Sequence, residues 1–221
     1  MKLLLNALIK FIFGMLLVGA LVFIPAGTLG YLNGWLFISI LFIPMFVIGI
    51  VLFIRSPELL RKRLDSKEKE NTQKGVVAVS GLLFLVGFIV AGLDYRFGWS
   101  DMPVWITVFA SVILLVSYAL YAEVMRENIY LSRTVEVHEG QSIVDTGLYG
   151  IVRHPMYAIT VWLFLAIPVV LGSWWSFLCF VFYIPVILVR IENEEKVLLE
   201  GLDGYSDYKK RVKYKILPFV W

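Results

Sequence analysis

The chain has 221 residues, of which 60% are hydrophobic and 17% charged, with a formal net charge of +3. A single soluble core of this size cannot hide so much apolar surface, so the composition points to a lipid solvent and excludes an ordinary water-soluble domain. Two histidines and one cysteine supply a zinc or metal-thiolate centre poorly, and the small positive balance suits anionic lipid heads better than nucleic acid.

From the N-terminus, four stretches are nearly free of charge: 8–24, 35–54, 76–93 and 104–122. Each is about the 20 residues that a helix needs to cross roughly 30 Å of hydrocarbon. The first reads as a retained span rather than a cleaved signal, because no small-residue cleavage site precedes the next helix. Residues 55–74 form a charged connection, expected to open with a short interfacial helix from Pro57 to about Lys67 and to be mobile from Asp65 to Lys74. After the fourth span comes a polar segment, 126–156, where residues 134–137 and 142–144 alternate like short extended pieces around a Glu139-Gly140 turn. A fifth apolar region, 157–189, is broken by Gly172-Ser173-Trp174-Trp175 and reads as a helical hairpin. Its arms are about 22–26 Å long, marginal for full crossings. The expected architecture is therefore an all-α integral membrane protein. Four transmembrane helices precede a C-terminal helical hairpin, giving five to six spans. The division is an N-terminal region, 1–125, and a C-terminal catalytic region, 126–221.

Basic residues near span ends stay on the cytoplasmic side. Two lie at Lys2 and Lys10, seven in 55–74, three in 126–153 and seven in 190–215, so that nineteen of twenty fall on one face and only Arg96 on the other. This predicts a multi-pass protein of a prokaryotic plasma membrane with both termini in the cytoplasm. Tyr31, Trp35, Trp99, Trp105, Trp174 and Trp175 are then expected at the outer interface, where amphipathic rings settle. No persistent small-xxx-small seam argues for a dimer, and the oligomeric state stays open.

The two long polar segments flank the hairpin, so antiparallel arms bring them to one membrane face. In the first, Gly147 and Gly150 bracket Leu148-Tyr149 and permit close backbone approach to a ligand or a neighbouring helix. Arg153-His154-Pro155 leads into the hairpin, with Pro155 suited to a first helical turn and His154 held extended just before it. In the second, Arg190 and Glu194 stand four apart on one helical face, with Glu195 about 100° further round. Ionisable groups at membrane depth are costly and are candidates for function. Plainer roles are open for each: Arg190 as a snorkelling helix end, Glu192 and Lys196 as a surface pair, His154 as a structural hydrogen-bonder. Tyr205, Tyr208 and Tyr214 then belong to an interfacial basic-aromatic helix, and Glu123 pairs with Arg126 or Arg190. No Rossmann, P-loop, H-E-x-x-H or G-x-S-x-G motif is present, so any nucleotide-like cofactor must be held by other means.

Across residues 128–218 the motifs Ser132-Arg133-x-Val135, Gly140-x-x-x-Val144-x-x-Gly147-x-Tyr149 and Val152-Arg153-His154-Pro155-x-Tyr157 appear in order. They are followed by Arg190-Ile191-x-x-Glu194-Glu195-x-x-Leu198 and Gly204-Tyr205-x-x-Tyr208-Lys209-Lys210-Arg211-Val212. This series resembles the membrane methyltransferases typified by isoprenylcysteine carboxyl methyltransferase, relatives of the phospholipid N-methyltransferases. Gln141, Leu148 and Ala158 stand where that family often has His, Pro and Gly. The resemblance implies S-adenosylmethionine bound near the cytoplasmic face by His154, Tyr149, Tyr157, Glu194, Glu195 and Gly147, with Arg190 and Arg153 as catalytic residues and no metal. It implies methyl transfer to a lipophilic acceptor, first a carboxylate of a prenylcysteine-like or other hydrophobic acid. The partners are that acceptor and membrane lipids. An NADPH-dependent sterol or polyprenoid reductase, sharing the His-Pro-x-Tyr neighbourhood, and a non-catalytic scaffold or transporter are the alternatives.

Overall fold

A computed structural model describes residues 2–64, 71–131, 135, 137 and 139–221. The described chain is helical, without a strand: α1 (Lys2–Ala26), α2 (Leu32–Arg55), α3 (Pro57–Leu64), α4 (Asn71–Phe97), α5 (Val104–Glu127), α6 (Pro155–Val170), α7 (Trp174–Val181), α8 (Tyr183–Gly201) and α9 (Tyr205–Arg211). A single 3-10 turn, Gly147–Gly150, precedes α6. Five helical stretches are long and apolar enough to cross a membrane: Lys2–Ala26, Leu32–Arg55, Gln73–Phe97, Val104–Glu127 and Trp174–Gly201. Large apolar side chains such as Phe13, Leu16, Ile43, Phe109 and Trp162 point away from the protein, as a lipid solvent allows.

The hairpin is asymmetric. Its first arm, α6, has 16 residues and rises about 24 Å, the short arm anticipated. The second joins α7 to α8 with only a kink at Phe182, and the 28-residue stretch is long enough to carry polar residues beyond the hydrocarbon. The helix α3 ends within the described residues at Leu64, and the connection at 65–70 lies outside them. Asn71–Lys74, expected to be mobile, instead form the first turn of α4, because a helix can project its polar start past the apolar zone. Of residues 134–137, 134 and 136 lie outside the described residues and 135 and 137 belong to no strand; residues 142–144 are irregular rather than paired in a ladder.

At the aromatic-rich end of the bundle, α4 touches α1, α6, α7 and α8. Two glycines make this possible. A Cβ on Gly87 would lie 2.4 Å from a ring carbon of Phe180, and one on Gly92 would lie 2.5 Å from the Val22 carbonyl oxygen. Tyr31 is not an interfacial anchor: it is 2% exposed, stacks on Tyr95 and donates its hydroxyl to the Leu171 carbonyl. Its ring fills core, while Trp35, Trp99, Trp105, Trp174 and Trp175 remain outward.

Asp94 locks the same end. Its carboxylate is buried and accepts from the Ser100 amide at 2.7 Å, the Ser100 hydroxyl at 2.6 Å and the Ser173 hydroxyl. Those bonds tie the end of α4 to the turn between the hairpin arms. In Asp94→Ala three donors lose their acceptor, an expected cost of about 1–3 kcal/mol for each one that stays buried and unsatisfied. A lowered melting temperature in detergent, with Asp94→Asn losing less, is the measurement.

Candidate active site

At the opposite, basic end, the two long polar segments meet. Pro155 stands at the first position of α6 and His154 at its cap with φ −125° and ψ 61°, so the chain enters the helix from a non-helical residue. The Arg153 and His154 amides donate to the Tyr214 and Lys215 carbonyls at 2.9 and 2.8 Å. The C-terminal tail therefore runs beneath the start of α6.

A buried latch fixes this crossing. Arg153 Nε donates to Glu195 Oε1 at 2.6 Å, and its Nη1 donates to the Val212 and Lys213 carbonyls, both at 2.8 Å. Lys209 Nζ reaches Glu195 Oε2 at 3.0 Å, and His154 Nε2 lies 3.3 Å from Glu195 Oε1. The side chains of Arg153, His154 and Glu195 are all 4% exposed or less, so the carboxylate is shared by two cations in a nearly dry setting. Such a pair is costly to break because either partner alone leaves an uncompensated charge.

Beside the latch lies a polar cavity of about 100 Å³. Arg153, His154, Tyr149, Tyr157, Arg190 and Glu194 all reach its wall, as do Tyr205 and Tyr208 from α9. Tyr157 connects the two charged residues of α8: its hydroxyl donates to Glu194 and accepts from Arg190 Nε at 2.9 Å. The four-residue spacing does place Arg190 and Glu194 on one side, with Tyr157 between them. Beneath them Gln73, fully buried on α4, donates to the Arg190 carbonyl at 3.2 Å and sets the height of α8.

Two expected cofactor ligands lie elsewhere. Glu195 is not on the cavity wall, since both its oxygens are taken up in the latch. Gly147 is also off it. It adopts φ +50°, and a Cβ there would sit 2.1 Å from Glu127 Oε1. The Glu127 carboxylate instead accepts from the Thr146 hydroxyl at 3.1 Å and the Leu148 amide at 3.3 Å, so this glycine lets the 3-10 turn clasp the end of α5.

Tyr205 and Tyr208 are 3% exposed each and wall the site rather than the lipid interface. Three residues apart, they present one helical face, a signal legible in the sequence. Tyr208 donates to the Tyr149 carbonyl at 2.8 Å, whereas the Tyr205 hydroxyl is buried without a hydrogen-bond partner. Burial, and then the nearby Glu195 charge, push its pKa far above the ordinary phenol value, so it is a neutral donor at pH 7. Asn128, which donates to the Tyr149 hydroxyl at 3.0 Å, is a further wall residue that sequence reasoning did not single out. Glu123 pairs with Arg126, and Glu192 with Lys215 rather than Lys196.

Fold and site together define a multi-pass α-helical membrane protein with a polar, tyrosine-lined cavity at its basic end. Residues 104–202 match the phospholipid methyltransferase family, the family of isoprenylcysteine carboxyl methyltransferase-like membrane enzymes, so this region is similar to membrane methyltransferases. The match opens on the first residue of α5 and closes just after α8. No curated protein matches the chain.

Proposed function

We propose that the chain binds S-adenosylmethionine in this cavity and catalyses transfer of its methyl group to the carboxylate of a lipophilic acid, at the cytoplasmic face. The observation that carries the reading is the wall chemistry: a carboxylate, Glu194, and a buried phenol without a partner, Tyr205, face one space. A buried polar group left unsatisfied calls for a ligand or water. The donor set fits the cofactor, whose ammonium group needs an anionic acceptor and whose carboxylate and ribose need neutral donors. Glu194 serves the first need, Tyr205 and His154 the second, and Ile143, Val144 and Leu198 offer apolar wall to the adenine. Glu195, Arg153 and Lys209 hold the latch behind them. When bound, the cofactor supplies an electrophilic methyl on sulfur.

The acceptor side falls to Arg190, a cation at the wall that can hold a carboxylate. That acceptor is already ionised at pH 7 and needs no general base, so the protein's work is orientation and exclusion of water. Typical small-molecule sites measure about 300–1,000 Å³, larger than this cavity. Binding therefore exchanges the Arg190-Tyr157-Glu194 bonds for bonds to the two ligands and parts the walls.

Titration of the purified protein in detergent with S-adenosylmethionine, S-adenosylhomocysteine and NADPH tests the reading. Saturable binding of both methionine derivatives is expected, with S-adenosylhomocysteine inhibiting transfer to a long-chain acid. Saturable binding of NADPH alone would sink it and favour a reductase.

A further inference from the structure

A second large space lies outside the matched region, between α1 and α2 and closed at the basic end by α3. It measures about 710 Å³. Leu4 and Leu8 on α1 and Met45, Ile50 and Phe53 on α2 line it, while Phe11 crosses to Phe42 and Phe46 with ring centroids 5.4 Å away, so the two apolar stripes touch at these rings and leave a groove beside them. The helices do meet above, where Val22, Phe23 and Phe37 share the main core. Below, Gly14 and Gly49 keep the space open: a Cβ on either would find no atom within 4 Å. A gap of this size between apolar walls forgoes too many contacts to stay empty, so hydrocarbon must fill it.

The basic end then selects the head that accompanies that chain. Lys10 lines the space from α1 and donates to the Leu64 carbonyl at 2.5 Å, beside Arg63, which lines it from α3. Arg63 also reaches the Tyr121 hydroxyl on α5 and lies 3.9 Å from Met156 Sδ, at the wall of the polar cavity. Arg61 and Lys62 precede it on the same short helix, against one acidic residue of that helix, Glu58. Anionic lipid is drawn to such a cluster by a term that grows with each basic residue.

We infer that the α1–α2 groove is a binding site for one anionic phospholipid, its acyl chain between the helices and its phosphate beside Lys10 and Arg63. The site is separate from the methyl-transfer cavity and does not depend on that reading. It ties the first two helices, which the family match leaves out, to the base of α5 and α6.

Native mass spectrometry of the full chain, with phosphatidylglycerol or phosphatidylcholine of the same acyl chains and no cofactor added, is the test. One phosphatidylglycerol is expected to survive activation that strips phosphatidylcholine. Lys10→Gln should weaken its retention about fivefold. Gly14→Leu and, independently, Gly49→Leu should abolish it by filling the groove, whereas Gly81→Leu, on an open face of α4 where a Cβ also meets nothing within 4 Å, should not. Equal retention of the two lipids, or full retention in both groove-filling variants, would overturn the assignment.

Discussion

Glu195→Ala is expected to loosen the C-terminal tail and to lower stability by about 3–5 kcal/mol, the usual consequence of stripping one partner from a buried ion pair. In a protein of this length that corresponds to a melting temperature lower by on the order of 10 °C. The loss is this large because the carboxylate has three partners. Without it, Arg153 is left buried beside carbonyls alone, Lys209 loses its anchor, and His154 loses its contact. The amides of Arg153 and His154 still bond the Tyr214 and Lys215 carbonyls, so the variant should keep its helices and the register of the tail while holding it less firmly under α6. Limited proteolysis at the tail, together with the thermal shift, measures this. Glu195→Gln retains an acceptor and should fall between, whereas a variant as stable as the parent would mean that the latch contributes nothing.

The spans were legible because hydrocarbon imposes a simple demand: runs of about 20 residues without charge, with basic residues gathered at one end. The short first arm of the hairpin followed from counting residues to the glycine break at Gly172. What the sequence hid depends on contacts far apart in the chain. Nothing in the sequence singles out Asp94, because its partner Ser173 stands 79 positions later. Tyr31 reads as an interface ring until α4 supplies Tyr95 to stack on. Within the candidate site, the spacing of Arg190 and Glu194 foretold their common side, and the 100° turn to Glu195 foretold a different one. It did not foretell which side held the cavity, because that is decided by where the tail returns. Gly147 was legible as a residue needing freedom, but its reason, the close passage of Glu127, is a tertiary contact.

Glu194→Gln is expected to give the opposite pattern from its neighbour. The amide retains an oxygen for the Tyr157 hydroxyl, and Tyr157 still accepts from Arg190, so the fold should melt near the parent temperature. What disappears is the negative charge at the cavity wall. A hydrogen bond to a charged group contributes about 1.5–3 kcal/mol, so affinity for S-adenosylmethionine should fall roughly 10- to 100-fold. S-adenosylhomocysteine, which keeps the ammonium but lacks the sulfonium charge, should lose about as much if Glu194 meets the amine, and far less if it faces the sulfur. Calorimetric titration of both ligands against both variants therefore does more than test a residue. Unchanged affinities in a well-folded Glu194→Gln would remove the carboxylate from the site. A loss confined to S-adenosylmethionine would place Glu194 beside the sulfonium rather than the ammonium. Loss of affinity with unchanged melting at Glu194, beside lowered melting at Glu195, would assign two adjacent glutamates to two separate tasks, ligand and latch, divided by one step of a helix.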